Sequence, residues 1–173
     1  MKKFKYILIS SIIIFLINFP AHFVFDYFPN NITSVFFPTN ESIFQHMKMV
    51  FTCFFIFYLI LYFMQRRLKY NNIFIHNIIS SLTCIVFFLI IYIPLYLRFG
   101  ENMLVTLILL FISILFGQFI TSLINCKKDD FLNMIGLLTI FIIFIVDGFL
   151  TFKPMNNFLF WDPEHETYER VFK

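Results

Sequence analysis

Five apolar runs, each about 20 residues long, fill most of this 173-residue chain. About 20 apolar residues span the hydrocarbon core of a bilayer as a helix. The runs are roughly Phe4–Phe25, Ile43–Met64, Ile73–Leu97, Met103–Leu123 and Leu132–Phe152. They are apolar on all sides, whereas membrane-spanning strands alternate polar and apolar residues. The expected fold is therefore all-α: a polytopic membrane protein with five transmembrane helices in a bundle. The chain, 1–173, reads as one membrane-embedded domain with a tail at 153–173 outside the last span.

Composition agrees. Charged residues make up 13% of the chain and hydrophobic ones 60%, with a mean hydropathy of +0.85. Soluble domains carry about 25% charged residues, and a soluble fold of this size has no way to bury so much apolar surface. The basic residues sit in short clusters between runs, which excludes the continuous basic face of a nucleic-acid binder. The expected partners are the lipid bilayer and a second membrane protein or copy of this chain. The 29 phenylalanines read as the codon bias of an AT-rich, bacterial genome.

The connections alternate in charge. Lys2, Lys3, Lys5, Arg66, Arg67, Lys69, Lys127 and Lys128 fall on one side; Lys48, Arg98, Lys153, Arg170 and Lys173 fall on the other. The positive-inside rule places the first set in the cytoplasm. The expectation is N-in/C-out, in the cell membrane, with Asp26–Ser42 and the tail both external. The lysine-rich start resembles a signal peptide, but Asn18, Pro20 and His22 follow it in place of a small-residue cleavage site, so it reads as a retained first span. Cys53, Cys84 and Cys126 read as packing residues, because the number is odd and no C-x-x-C occurs. Tyr6, Tyr58, Tyr62, Tyr92, Tyr96 and Trp161 read mostly as an interfacial belt.

Polar residues at the mouth of the second span carry the functional interest. The segment runs Pro38-Thr39-Asn40-Glu41-Ser42-Ile43-Phe44-Gln45-His46-Met47-Lys48. Thr39 or Asn40 suits the helix cap and Glu41 the first turn. Ser42 and His46, four apart, share a face. His22 and Asp26, also four apart, end the first span at the same boundary, and consecutive elements are usually neighbours. His22, Asp26, Glu41 and His46 thus form a candidate ligand set for zinc or another divalent metal. A hydrogen-bonded packing network is the competing reading. In the tail, Asp162 and Tyr168 lie on the same side as Asn40, and Arg98 ends the third span there. These four are candidate ligand-binding residues. Asp147, in the fifth span, needs a buried partner, with Lys48 and Arg98 as candidates. Asn18, Gln118 and Asn133 read as interhelical hydrogen-bonders.

Pro38-Thr39-Asn40-Glu41-Ser42, His46, Lys48, Asp162-Pro163 and Tyr168 together resemble a family of small bacterial multi-pass membrane proteins, domain of unknown function 6512. Its pattern is P-x-N-E-S-x-x-E-H-x-K early and D-P-x-x-x-x-Y-G late. This chain departs at Gln45 and Glu169. The resemblance spans nearly the whole chain and implies an architecture, not an activity. A looser likeness is to membrane zinc hydrolases of the ceramidase and adiponectin-receptor type. Ser42 and His46 match their S-x-x-x-H element, but a late H-x-x-x-H is absent and those proteins have seven spans.

Three functions stay open on the sequence. One is a binding or structural membrane protein with a polar site at the external face. Another is a metal-dependent hydrolase of lipid or envelope material, with Glu41, Ser42, His46 and Lys48 as catalytic candidates, Glu41 or Asp162 as base, and Lys48 as oxyanion partner. The third is a small-solute transporter, which needs polar residues nearer mid-membrane.

Overall fold

A computed structural model describes residues 2–68, 72–124 and 129–171. Lys69, Cys126, Lys127, Lys128, Lys173 and the side chains of Lys2, Lys3, Arg66 and Arg67 lie outside the described residues. Six helices are present among the described residues: α1 (Lys2–Tyr27), α2 (Asn31–Phe36), α3 (Ile43–Leu68), α4 (Ile73–Phe99), α5 (Met103–Leu123) and α6 (Asp130–Phe152). Five of them are long and apolar enough to cross a membrane: Phe4–Tyr27, Ile43–Met64, Ile73–Phe99, Met103–Leu123 and Asp130–Phe152. These match the five apolar runs, extended by a few residues at three ends.

Apolar side chains cover the outside. Phe63, Ile90, Ile108 and Ile145 are exposed, which suits helices whose solvent is lipid. The interior is mixed. Ile14, Val50, Phe54, Phe88 and Ile114 pack between α1, α3, α4 and α5, and Phe51, Phe74, Ile140 and Phe144 pack between α3, α4 and α6. Several polar groups inside bond across helices, as a medium without water favours, while Ser11 Oγ and both amide atoms of Asn77 have no partner among the described residues. Gln118 Oε1 accepts from Ser10 (3.3 Å), Ser80 accepts from Thr121 (3.0 Å), and the Tyr58 hydroxyl lies within reach of both Ser80 Oγ (3.3 Å) and Gln118 Oε1 (3.4 Å), with one proton to give. Tyr58 is therefore a core residue and not part of an interfacial belt. Asn133 accepts the Phe74 N–H at 2.9 Å, tying α6 to the start of α4. Asn18, in contrast, donates to Ile14 O of its own helix at 2.8 Å.

Close backbone approach sets the position of α4. A Cβ at Gly136 would lie 2.7 Å from the Phe74 carbonyl carbon, and one at Gly117 would collide with the Ser80 carbonyl oxygen. Two glycines thus let α5 and α6 pack tightly on α4. Half of the α3 spanning segment is buried, against 22% for α1. So α3 is the inner helix, and its first turns carry the residues of interest.

The short helix α2 lies within the connection between the first two spans. Asn30 caps it, accepting from Ile32 and Thr33 N–H groups at 2.9 and 3.0 Å, while Thr33 Oγ1 accepts the Asn30 N–H at 3.2 Å. This reciprocal capping box makes so short a helix possible. The tail is also ordered. Val171 N–H bonds Thr39 O (2.8 Å) and Phe44 N–H bonds Leu159 O (2.8 Å), so the tail folds back over the mouth of α3.

A candidate metal centre at the mouth of α3

The loop before α3 is built from its own side chains. Asn40 Oδ1 accepts the Ser42 N–H at 3.1 Å and Ser42 Oγ accepts the Gln45 N–H at 3.4 Å. Asn40 also donates to Glu169 O of the tail at 2.9 Å. Asn40 and Ser42 thus serve the backbone, and both are buried. Because α3 starts at Ile43, Glu41 precedes the helix and is not in its first turn. Its carboxylate is free to turn toward α1.

There it meets two histidines. His22 Nε2 and His46 Nε2 are 3.2 Å apart, and each lies 3.4 Å from Glu41 Oε2. Hydrogen bonds from His22 and then His46 hold the Glu41 carboxyl well below the usual carboxylate range. The His46 ring nitrogen Nδ1 is 3.0 Å from Ser42 O. A carbonyl only accepts, so Nδ1 carries a proton; Nε2 donates to Glu41 here and would offer its lone pair only to a metal that displaced that proton. One ring nitrogen tied to the backbone, with the other turned to the site, is the arrangement metal-binding histidines use. Side-chain exposures of 28%, 31% and 26% for His22, His46 and Glu41 leave one side of the triangle open.

Two cavities adjoin the cluster. The smaller is lined by His22, Asp26, Asn40, Glu41 and His165. Asp26 therefore sits beside the cluster but is not one of its three converging ligand atoms. The larger is lined by Glu41 and His46, by Glu101 and Thr106, and otherwise mostly by apolar and aromatic side chains.

His165 is the functional candidate that the sequence reading missed. Its Nδ1 lies 2.9 Å from Asp162 Oδ2, and Asp162 is fully buried. Asp162 Oδ1 accepts the N–H groups of Glu164 (2.9 Å) and His165 (3.3 Å). The available signal was local: an aspartate before proline, with a histidine three residues on.

Other candidates are placed elsewhere. Lys48 is 2% exposed, and its ammonium donates to Ser34 O of α2 (2.7 Å) and Thr151 Oγ1 of α6 (3.1 Å). Asp147 lies within range of its charge, but the two form no ion pair, so the expected pairing is not made by direct contact. Two residues along a helix is a turn of about 200°, so Lys48 points away from the face that carries His46. Arg98 is exposed, with its guanidinium 5.4 Å from the Phe99 ring centre. Tyr168 packs edge-on against Trp161, ring centres 5.0 Å apart, and braces the tail.

No curated protein and no solved structure matches the chain. One protein family does, the "Family of unknown function (DUF6512)", over residues 1–169. With nearly its whole length covered, the chain belongs to this family of unknown function.

Proposed function

We propose that this protein is a metal-dependent hydrolase of the cell membrane, with a divalent ion of the zinc class held by His22, Glu41 and His46. The observation that carries this reading is the size of the triangle. Zinc binds histidine nitrogen and carboxylate oxygen at about 2.0–2.2 Å, so the edges of a tetrahedral site measure about 3.3–3.6 Å. The edges here are 3.2, 3.4 and 3.4 Å. Three protein ligands with one open side are the pattern of catalytic zinc, whereas structural sites close with four.

Such an ion supplies a Lewis acid and an acidified water. The chain's own residues do the rest. Glu41 is held ionised by its two histidine neighbours. Asp162 acts as a positioning residue: it fixes His165 through Nδ1 and leaves Nε2 of that ring to move a proton. His165 and Asp26 line the cavity on the open side, where a leaving group departs. Lys48 has no part in the reaction, since its ammonium is committed to α2 and α6. With the N-terminus inside, the centre lies at the external membrane face.

Hydrolysis of 4-methylumbelliferyl acetate and its decanoyl homologue by zinc-loaded protein in nanodiscs tests the reading. Turnover that stops on chelation and returns with zinc is the expected result. His165→Asn is expected to lower kcat by about 10²–10⁴ and to leave the bound zinc in place. Turnover that survives chelation, or no turnover of either ester, overturns the assignment.

A further inference from the structure

The larger cavity at the cluster has the polarity gradient of an amphiphile. It holds about 80 Å³ of free volume, and about 650 Å³ when the open space at its mouth is counted. Glu41 and His46, with Glu101 just after α4 and Thr106 at the start of α5, are its polar lining, and Tyr92 and Tyr96 add hydroxyls. Met47 and Val50 of α3, Phe88 of α4 and Leu110 of α5 form its walls, and all four are buried. Trp161 of the tail also lines it. The chamber therefore runs from the cluster into the space between three helices that are long and apolar enough to span a membrane.

We infer that this chamber receives the acyl chain of a membrane amphiphile and presents the chain's carbonyl group to the His22–Glu41–His46 cluster. The polar end of the inference rests on the metal-centre reading; the apolar end rests on the chamber alone. A soluble polar substrate has no use for walls of methionine, valine, phenylalanine and leucine. Burying each methylene from water is favourable, whereas polar groups set against Met47, Val50, Phe88 and Leu110 would meet no partner on those side chains. A chain entering from the bilayer exchanges one apolar surface for another, and the carbonyl at its head is the part that needs the polar end. The substrate class is then an acyl ester or amide of a lipid. Hydrolysis breaks the acyl C–O or C–N bond, adds water across it, and releases a fatty acid and an alcohol or amine.

Photolabelling in proteoliposomes tests this, using a fatty acid with a diazirine midway along its chain. Labelled peptides are mapped by mass spectrometry, with and without chelator. The expected result is labelling at Met47, Val50 or Leu110 in addition to the outward-facing Ile90 and Ile108. Leu110→Trp and, separately, Val50→Phe should abolish the inner labels and leave the outer ones, which also report that the helices still assemble. Label confined to Ile90, Ile108 and other outward positions in the wild type overturns the inference. Because the label is read without turnover, inner labelling in chelator-treated protein upholds the chamber even where the ester assay rejects the metal-dependent reaction. Loss of the inner label alone rejects the chamber and leaves the metal reading standing.

Discussion

Asp162→Ala is expected to free the tail from the mouth of α3, raising amide exchange across 159–171 by roughly 30- to 100-fold. Asp162 is fully buried and accepts three hydrogen bonds, from the Glu164 and His165 backbones and from the His165 ring. Its own N–H bonds Thr167 O at 2.9 Å, closing the 162–167 turn. Alanine removes the acceptor of all three bonds, at a cost of about 2–3 kcal/mol. Each 1.4 kcal/mol is tenfold in an equilibrium, which gives the stated range for local opening. The effect should stay local. The contacts beyond the turn, Phe44 stacked on Phe160 at 4.4 Å and Arg170 over Phe152 at 4.4 Å, keep the tail tethered at both ends. Hydrogen exchange read by mass spectrometry checks this. Unchanged protection across 159–171 would show that the turn is held by something other than this carboxylate.

Lys48→Ala is expected to destabilise the bundle by about 2–4 kcal/mol, from two buried hydrogen bonds lost and the cavity left by the lysine stem. The lysine joins three elements, α3, α2 through Ser34 O and α6 through Thr151, and Thr52 adds a second bond from α3 to α2 at Phe36 O, 2.8 Å. Its removal orphans the Ser34 carbonyl and opens a cavity where the lysine stem was. Lys48→Met keeps the stem volume and loses only the charge and its hydrogen bonds, for about 1–3 kcal/mol. Thermal unfolding in detergent separates the two variants. If both unfold like the wild type, Lys48 is not a structural clamp. If Lys48→Met instead folds normally but loses ester turnover, the lysine belongs in the reaction after all.

The spans were legible because a run of about 20 apolar residues has one stable arrangement in a bilayer, whatever surrounds it. Their ends were less so: Tyr27, Phe99 and Asp130 continue their helices, since aromatic and capping residues suit both the helix and the interface. The short α2 left a signal, Asn30 with Thr33 three residues later, but six residues carry no hydrophobic period to draw attention to it. Residue types at the cluster were legible too. His22, Glu41 and His46 were grouped from spacing and from the adjacency of the first two spans.

What sequence could not supply was direction. Lys48 sits two residues from His46, yet helical rotation turns it toward α6. Asp26 shares a face with His22 but stops in the adjoining cavity. His165 needed the tail to fold back on the α3 mouth, and that return rests on backbone bonds from Val171 to Thr39 and from Phe44 to Leu159. No local pattern encodes such long-range contacts.

Elemental analysis of protein purified without added metal or chelator, wild type beside His46→Ala, tests the central claim most directly. Nearly one zinc or other divalent transition ion per chain in the wild type, lost in His46→Ala while Lys48→Met retains it, is the result this account predicts. A wild type that carries no metal, and takes up none when zinc is supplied in excess and the free ion removed, would contradict it and leave His22, Glu41 and His46 as a hydrogen-bonded packing cluster.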